Sequence, residues 1–463
     1  MIAWATAALL AAGALFDAWE IPLGPGESVQ VTLADLDGSG NGGLAVARPG
    51  RLEVYPGARP DQRAETVFPP NTVAFDIADF NGDGRPEVLA LTPDRLYSAA
   101  VPQPGQAAPP WEERFAVSAQ DIAQPPVPVP AALVIQPAGQ PALLAVPSGD
   151  HLRLYRRDGA VARTYPTGPG APVTLSIGED FLAVSAWPPQ RGTDALEWRI
   201  SQHWTGVPAL PEDIPTRRPV NLPNREQLIS LARYADMERP DLWPGFPLRD
   251  AGRPDQAQFC YTRDGTLDSL VRVRRMPPES GREATPRVST ARRYPGRVIP
   301  PGETPLDVNH DGWADLLLWN AEQPTYTVGT VMRAATRKTW PARVAVHLFD
   351  PERNAFSATP FWSVPLEVPL WWMADALADR IPVRHLMCAD FNGDGRVDIG
   401  FSDAPNQYRI WCSSPIGLRA EPAESPVFSG PLEELLYAAD LDRNGRTSLV
   451  FRSREHLAIL RAR

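Results

Sequence analysis

The chain has 463 residues, a formal net charge of −10, 53 prolines and 34 glycines. The negative balance disfavours a nucleic-acid-binding protein, because such proteins present a basic face to phosphate. The length is sufficient for one large core or several small ones. The prolines and glycines follow no short repeat, so they indicate many turns rather than a collagen-like chain.

The first predicted element is the apolar segment at residues 1–14, which resembles a secretory signal peptide. The small residues Ala12–Ala14 fit a cleavage site, and the apolar run of about 16 residues is short for a helix that spans a bilayer. We therefore expect export to a secreted, periplasmic or cell-surface location, with no transmembrane span after cleavage. No lysine or arginine precedes the run, which leaves an uncleaved N-terminal anchor as the alternative.

Three later segments repeat one pattern, with oxygen-bearing side chains at positions one, three, five and nine and glycine at position six. Alternate positions of a tight turn direct oxygens inward, and such oxygens suit Ca²⁺. The glycine permits the positive φ that folds the turn back on itself. The predicted calcium ligands are Asp79, Asn81, Asp83 and Glu87, then Asp307, Asn309, Asp311 and Asp315, then Asp390, Asn392, Asp394 and Asp398.

Other segments keep the pattern only in part. The one that begins at residue 35 has glycine at position nine, and the one that begins at residue 440 has serine there. A further segment, Cys260–Asp268, keeps only the second half of the pattern. The sequence leaves open whether these loops bind calcium. The weaker candidate ligands are Asp35, Asp37, Asp440, Asp442 and Asn444.

Short apolar runs flank the loops and predict β-hairpins. An EF-hand is excluded because it needs flanking helices and a glutamate at position twelve, which here holds Ala90, Leu318 and Phe401. Two more hairpins, at residues 132–146 and 173–184, keep only the strand pattern. Eight hairpin units result, and an interval of about 40 to 50 residues between them is typical of propeller blades.

With their flanking strands, these loops resemble FG-GAP/VCBS repeats, the unit of the integrin α-subunit head and of many bacterial surface and secreted proteins. The resemblance covers nearly the whole chain after about residue 25. It implies an all-β fold, a β-propeller of four-stranded blades, with Ca²⁺ bound at the complete loops. Seven blades are common in the family, whereas the eight hairpin units favour eight. The resemblance implies no single activity.

We predict one propeller domain over residues 18–463, in which the strand Ala18–Ile21 completes the last blade and leaves no exposed sheet edge. Insertions at about 188–250 and about 320–384 interrupt the repeat. Each contains a predicted helix, at residues 224–235 and 371–379. Insertions on a rigid scaffold often carry function, although these could also simply cap the propeller.

The expected function is binding or adhesion, by a monomer, to a surface protein or a polysaccharide. Trp371 and Trp372 form a candidate aromatic platform for either partner. The alternative is an enzyme of the polysaccharide lyase type on a calcium-binding propeller, with Arg272–Arg275 and Arg292–Arg293 lining a basic cleft. No catalytic residue is predicted, because the sequence has no nucleophile elbow and its six histidines form no motif.

Three cysteines, Cys260, Cys388 and Cys412, are too few for a disulfide framework. We expect buried free thiols, with a bond between Cys388 and Cys412 as the alternative. No cysteine or histidine spacing fits a zinc site.

Overall fold

The computed structural model of the protein describes most of the chain after residue 14. The described residues are 15–119, 125–131, 133–135, 141–148, 151–166, 173–178, 181–186, 198–200, 245–248, 257–264, 268–275, 287–299, 306–321, 336, 338–369, 384–414, 417–419 and 421–463.

The described strands, numbered in chain order, form eight sheets of three to five strands and one two-stranded ribbon. We label the eight sheets A to H. Strand β1 is Phe16–Pro22. Sheet A contains β2 (Gln30–Asp35), β3 (Gly42–Arg48), β4 (Arg51–Tyr55) and β5 (Ala64–Val67), with 3-10 helices at Pro56–Ala58 and Pro60–Gln62. Sheet B contains β6 (Ala74–Ala78), β7 (Glu87–Leu91), β8 (Arg95–Ala100), β9 (Glu112–Ala116) and β10 (Val129–Pro130). Sheet C contains β11 (Val134–Ile135), β12 (Leu143–Ser148), β13 (His151–Tyr155) and β14 (Val161–Pro166).

The remaining sheets follow along the chain. Sheet D contains β15 (Val173–Gly178), β16 (Phe181–Ala186) and β17 (Trp198–Ile200). Sheet E contains β18 (Gly245–Pro247), β19 (Ala257–Asp264), β20 (Asp268–Arg275), β21 (Arg287–Val288) and β22 (Arg292–Tyr294). Sheet F contains β23 (Arg297–Val298), β24 (Leu316–Ala321), β25 (Thr339–His347) and β28 (Trp362–Pro369), and the ribbon is β26 (Phe349–Asp350) with β27 (Ala355–Phe356). Sheet G contains β29 (Arg384–Ala389), β30 (Asp398–Ala404) and β31 (Gln407–Trp411), and sheet H contains β32 (Glu434–Ala439), β33 (Ser448–Arg452) and β34 (His456–Ala462) together with β1.

Strands that follow one another in sequence are neighbours in most of these sheets. Sheet A has the order β2-β3-β4-β5, and sheet C has the order β11-β12-β13-β14. Every pair in these two sheets is antiparallel. A serial antiparallel unit that recurs along the chain is the blade pattern of a β-propeller. The chain is therefore all-β and of the β-propeller class, while the number of blades stays a prediction.

Apolar runs in the inner strands have both faces buried. In β7, Val88 and Ala90 pack into a core with residues of sheet A, whereas Leu89 and Leu91 pack into a core with residues of sheet C. Successive side chains of a strand point to opposite faces, so a strand between two sheets needs apolar residues at every position. This explains why these segments read as continuous apolar runs rather than as alternating patterns.

The chain divides into two compact units. The first comprises residues 21–222 and 440–443, and the second comprises residues 1–20, 223–439 and 444–463. In the first unit, buried side chains fill the spaces between sheets A and B and between sheets B and C. In the second, they fill the spaces between E and F, between F and G, and between G and H.

The first strand completes the last sheet, as the sequence predicted. Sheet H has the order β1-β34-β33-β32, and the N–H of Arg463 donates to the carbonyl of Leu15 at 3.0 Å. The strand runs from Phe16 to Pro22, slightly longer than the predicted Ala18–Ile21.

Two expectations need correction. Cys260 does not begin a loop, because it lies inside β19 and pairs opposite Arg272 in the ladder. Residues 339–369, within the predicted insertion at about 320–384, form β25 to β28 and so belong to sheet F and its ribbon. No disulfide joins Cys388 and Cys412; Cys412 is buried, as expected, whereas Cys388 is only half-buried.

Several predictions lie outside the described residues, namely the signal peptide at 1–14, the helices at 224–235 and 371–379, and the aromatic pair Trp371 and Trp372. In the part of the chain that the structure describes, no helix has the length and apolar character needed to cross a membrane.

Candidate metal centre

Each oxygen-rich loop joins two paired strands of its sheet, and we name the loops 35, 79, 307, 390 and 440 after position one. They lie in sheets A, B, F, G and H, respectively. In loop 79, Ala78 pairs opposite Glu87 in the ladder, and in loop 390, Ala389 pairs opposite Asp398. The ladder thus fixes position nine opposite the residue that precedes position one.

The carboxylate at position one organises the turn. Asp79 Oδ1 accepts from the amides of Gly82 (2.6 Å) and Asp83 (3.1 Å), and its Oδ2 accepts from the amide of Gly84 (2.9 Å). One side chain therefore satisfies three backbone donors that the turn would otherwise leave unpaired. The amide at position six donates in the same way in loops 35, 307 and 390, to Asp35 (2.8 Å), Asp307 (2.9 Å) and Asp390 (2.7 Å).

Positions three and five continue this arrangement along the turn. Asn81 Oδ1 accepts from the amide of Asp83 (2.8 Å), and Asp83 Oδ1 accepts from the amide of Arg85 (2.8 Å). The side-chain amide of Asn81 also donates to Asp83 Oδ2 (3.1 Å). The predicted ligands at positions one, three and five therefore lie together on one turn. The same bond from the asparagine Nδ2 to the aspartate Oδ2 is 3.0 Å long in loop 307 and 3.3 Å long in loop 390.

The carboxylate at position nine lies at the base of the loop and links two backbone segments. Asp398 is fully buried, and its Oδ2 accepts from the amide of Phe391 (2.9 Å) while its Oδ1 accepts from the amide of Ser413 (2.7 Å). Ser413 follows the third strand of sheet G. Position nine therefore connects the loop to the end of the third strand.

The other complete loops make related links. Asp315 accepts from the amides of Val308 (2.9 Å) and Phe349 (3.0 Å). Glu87 accepts from the amide of Asn81 (3.1 Å) and from the guanidinium of Arg114 (3.1 Å). Sequence reasoning placed these groups among the ligands, and it had no means of showing their partners beyond the loop.

Burial governs the protonation of two position-nine groups. It raises the pKa of Asp315 to about 7 and the pKa of Asp398 to about 6. Backbone N–H donors oppose this rise, and the acids at positions one and five of the same loop add to it. Loops 307 and 390 thus concentrate negative charge that a cation would offset.

The donor chemistry of the loops fits a hard divalent cation. Each complete loop presents carboxylate and amide oxygens, which are the ligands that Ca²⁺ prefers. Asp79 Oδ1 accepts two N–H groups, whereas Asp79 Oδ2, Asn81 Oδ1 and Asp83 Oδ1 each accept one and retain a second lone pair. The hydrogen bonds within the turn are therefore compatible with an ion bound through these three oxygens. Among the described residues, however, no three or more His, Cys, Asp or Glu side chains group tightly enough to hold a metal by themselves. The amide oxygen at position three and backbone carbonyls would have to complete a site.

The two incomplete loops replace position nine differently. A Cβ at Gly43 would lie 2.4 Å from Leu36 Cδ1, so an apolar side chain occupies the space beside that position. In loop 440, the hydroxyl of Ser448 accepts from the amide of Ala462 (3.0 Å), which lies at the end of β34. The serine therefore makes one hydrogen bond of the kind that Asp398 makes to Ser413.

Position four has a backbone requirement that the sequence analysis missed. Its φ is positive in every loop, at 76°, 75° and 77° for Gly38, Gly82 and Gly393, but also at 59° for His310 and 52° for Arg443. Residues other than glycine are strained in this region. The recurrence of glycine at position four in three of the five loops is the signal that could have revealed it.

Arginine side chains pack against one glycine in each of two loops, at position six of loop 35 and at position four of loop 79. A Cβ at Gly40 would lie 2.1 Å from the guanidinium carbon of Arg443, and a Cβ at Gly82 would lie 2.3 Å from Nη2 of Arg157. Only the absence of a side chain at these glycines permits such approaches. Positive groups therefore lie directly beside loops 35 and 79.

No protein-family model matches the chain, and no curated protein matches it. The FG-GAP/VCBS resemblance therefore depends on the loops and their flanking strands.

Several solved structures are similar at low scores. A structure of BBS1N in complex with ARL6DN, soaked with lead, has 12% identity and a TM-score of 0.33, with 97% of each chain covered. A eukaryotic initiation factor has 9% identity and a TM-score of 0.36, with 95% of this chain and 92% of that chain covered. The WD40 domain of SCAP from fission yeast has 9% identity and a TM-score of 0.32, with 96% and 98% covered. Similarities of this size carry no information about activity.

Proposed function

We propose that this chain is an exported, calcium-stabilised β-propeller that acts as a protein- or glycan-binding or adhesion module at or outside the cell surface. The observation that supports it is the recurrence of one oxygen-lined turn at the same place in different sheets. Loops 79, 307 and 390 share the ordered carboxylate at position one and the Asn–Asp pair at positions three and five. A single turn of this kind could be a solvated loop, whereas three with the same hydrogen bonds favour a common ligand.

In this proposal, the acids at positions one and five and the asparagine at position three hold Ca²⁺. The ion supplies positive charge where Asp79 and Asp83 lie on the same short turn. Binding restricted to the folded protein stabilises it by linkage. Extracellular modules bind Ca²⁺ with dissociation constants of about 10⁻⁴ to 10⁻³ M, a range suited to an exported protein.

The construction of the sheets suits a binding role. The inner strands bury both faces, as in β7 and β24. Such a scaffold is rigid, and its connecting segments can vary to recognise a partner. A surface protein or a polysaccharide is the expected class of partner.

The first test is the metal content of the purified protein, combined with melting curves in calcium and in EDTA. We expect about three Ca²⁺ per chain and a clear loss of melting temperature in EDTA. A triple variant, Asp83→Asn, Asp311→Asn and Asp394→Asn, keeps an oxygen at each position five but removes its charge. It should lose both the metal and the calcium-dependent shift.

Asp442→Asn is the control, because it makes the same chemical change in an incomplete loop, at position three, where position five is already Asn444. If wild-type protein contains no metal and melts identically in EDTA, the calcium proposal is wrong. The binding proposal is tested separately by screening the calcium-loaded protein against glycans and surface proteins. Shortening of a polysaccharide in that screen would instead support the lyase alternative.

A further inference from the structure

The backbone of Leu15 is held from both sides by residues near the end of the chain. Its N–H donates to Glu424 Oε1 at 2.7 Å, and its carbonyl accepts from the N–H of Arg463 at 3.0 Å. All three residues belong to the second unit. Leu15 is also the residue that follows the predicted cleavage site at Ala12–Ala14.

Charged side chains of both signs surround Leu15, and the Arg446 guanidinium donates to the carbonyl of Arg463. Burial raises the pKa of Glu424, Arg463 lowers it and Asp17 raises it. The guanidinium of Arg463 is itself paired with Asp17, at 2.6 Å between Nη2 and Oδ1. The Arg463 guanidinium thus pairs with Asp17 and acts on Glu424 only electrostatically, so a positive charge at the Leu15 nitrogen would give Glu424 a directly bonded cationic partner.

The position of Leu15 is fixed by the rest of β1. Near its other end, the Glu20 carboxylate accepts from the amide of Ser429 at 2.5 Å and from its hydroxyl at 2.6 Å. Phe16 is buried against Phe391 with ring centroids 6.0 Å apart. The strand therefore cannot slide without breaking these contacts, and the Leu15 nitrogen stays within reach of Glu424.

We propose that Glu424 is the binding site for the α-ammonium group that cleavage between Ala14 and Leu15 creates. The inference rests on the export part of the proposed function. A signal peptidase would hydrolyse this peptide bond with one water molecule: the C–N bond breaks, Ala14 leaves as a carboxylate, and the Leu15 nitrogen becomes –NH₃⁺. The neutral amide donor is replaced by a charged group with three donors, and charge-assisted hydrogen bonds are the stronger kind. Processing would therefore tighten the contact between β1 and the rest of sheet H.

The composition of the chain permits a direct test, because Lys338 is its only lysine. In a Lys338→Arg background, the α-amino group is the only amine, so acetylation modifies Leu15 alone. Acetylation removes the charge but leaves an amide N–H, as in the uncleaved chain. The experiment compares free and acetylated mature protein, each with Glu424 or with Glu424→Gln, by urea unfolding. Glu421→Gln, at an exposed acid nearby, is the control.

We expect acetylation to lower the folding equilibrium constant about fivefold when Glu424 is present and less than twofold in Glu424→Gln, as is typical of a partly buried charged hydrogen bond. The Glu421→Gln control should retain the fivefold effect. Equal effects of acetylation with and without Glu424 would overturn the proposal, and so would a mature N-terminus, measured by intact mass, at any residue other than Leu15. Neither outcome changes the metal content or the EDTA shift, so the calcium part of the proposed function stands or falls separately.

Discussion

Loops 390 and 440 begin alike but differ at position nine, which is Asp398 in one and Ser448 in the other. Both side chains are buried, and each accepts a hydrogen bond from a backbone amide at the end of the strand that completes its hairpin unit. Asp398 accepts from Ser413, just after β31, at 2.7 Å, and Ser448 accepts from Ala462, in β34, at 3.0 Å. Only Asp398 also accepts from the amide of Phe391. The link to the third strand thus requires an acceptor but no charge. Accepting hydrogen bonds that hold the loop to the neighbouring strand and attracting a cation are therefore separable roles of position nine.

The largest expected effect comes from removing the hydrogen bonds that Asp398 accepts. Asp398→Ala leaves two buried amides without an acceptor and should lower the free energy of unfolding by about 3 kcal/mol. Asp398→Ser should cost clearly less, because the hydroxyl can keep the link that Ser448 makes. Urea unfolding in EDTA measures both without any contribution from calcium. Equal losses for the two variants would show that charge, not hydrogen bonding, is what matters at position nine.

A second effect concerns a buried carboxylate outside the loops. Asp76 Oδ2 accepts from the amides of Leu133 (2.7 Å) and Val134 (2.9 Å), and burial raises the pKa of Asp76 to about 6. Its unfolded value is about 3.9. Between these values the folded protein binds more protons than the unfolded chain, so stability falls as pH rises from about 4 to about 6.

Asp76→Asn should make this fall smaller, because the amide does not titrate in that range, while the raised pKa values of Asp315 and Asp398 leave their own part of the fall in place. Unfolding free energies measured between pH 4 and pH 7 in EDTA, for wild type and variant, provide the comparison. An unchanged slope would mean that Asp76 is ionised throughout. The group would then resemble a solvated acid rather than Asp398.

The third effect separates complete from incomplete loops by their response to calcium. Asp394→Asn should lower stability in calcium by about 1.4 kcal/mol when the ion is at ten times its dissociation constant, and should change little in EDTA. Asp442→Asn should have no calcium-dependent effect. Differential scanning calorimetry in both buffers tests this, and an equal calcium-dependent loss in the two variants would assign an ion to loop 440 as well.

The smallest effect tests position four. His310 has a φ of 59°, where glycine is the preferred residue. His310→Gly should therefore raise the free energy of unfolding by about 0.5 kcal/mol, since relief of strain slightly exceeds the added flexibility of the unfolded chain. His310→Ala retains the strained backbone and should show no gain. A gain in both variants would attribute the effect to the imidazole.

The sequence was most informative where the fold depends on local rules. Glycine at position six and the apolar runs beside each loop predicted the hairpins, and the ladders confirm them in sheets B and G. The strand at the start of the chain was predicted to complete the last sheet and does so. These features need only turn geometry and side-chain alternation, which short windows of sequence contain.

The missed features depend on partners that are distant in the chain. Position nine was interpreted as a ligand, whereas its acceptor role toward Ser413 or Phe349 is visible only once the third strand is in place. Strand β25 was interpreted as part of an insertion, because loops 307 and 390 begin 390 − 307 = 83 residues apart, more than the interval of the repeat. Its pairing with β24 and β28 instead places it in sheet F.

The alternation in β7 has a consequence for how this protein can change over time. Val88 and Ala90 belong to one core, whereas Leu89 and Leu91 belong to another. Neighbouring residues of the strand are thus under independent selection, while residues two apart must change together. In an alignment of related chains, we would look for covariation at a spacing of two, and a duplicated sheet could diverge on one side without disturbing the other.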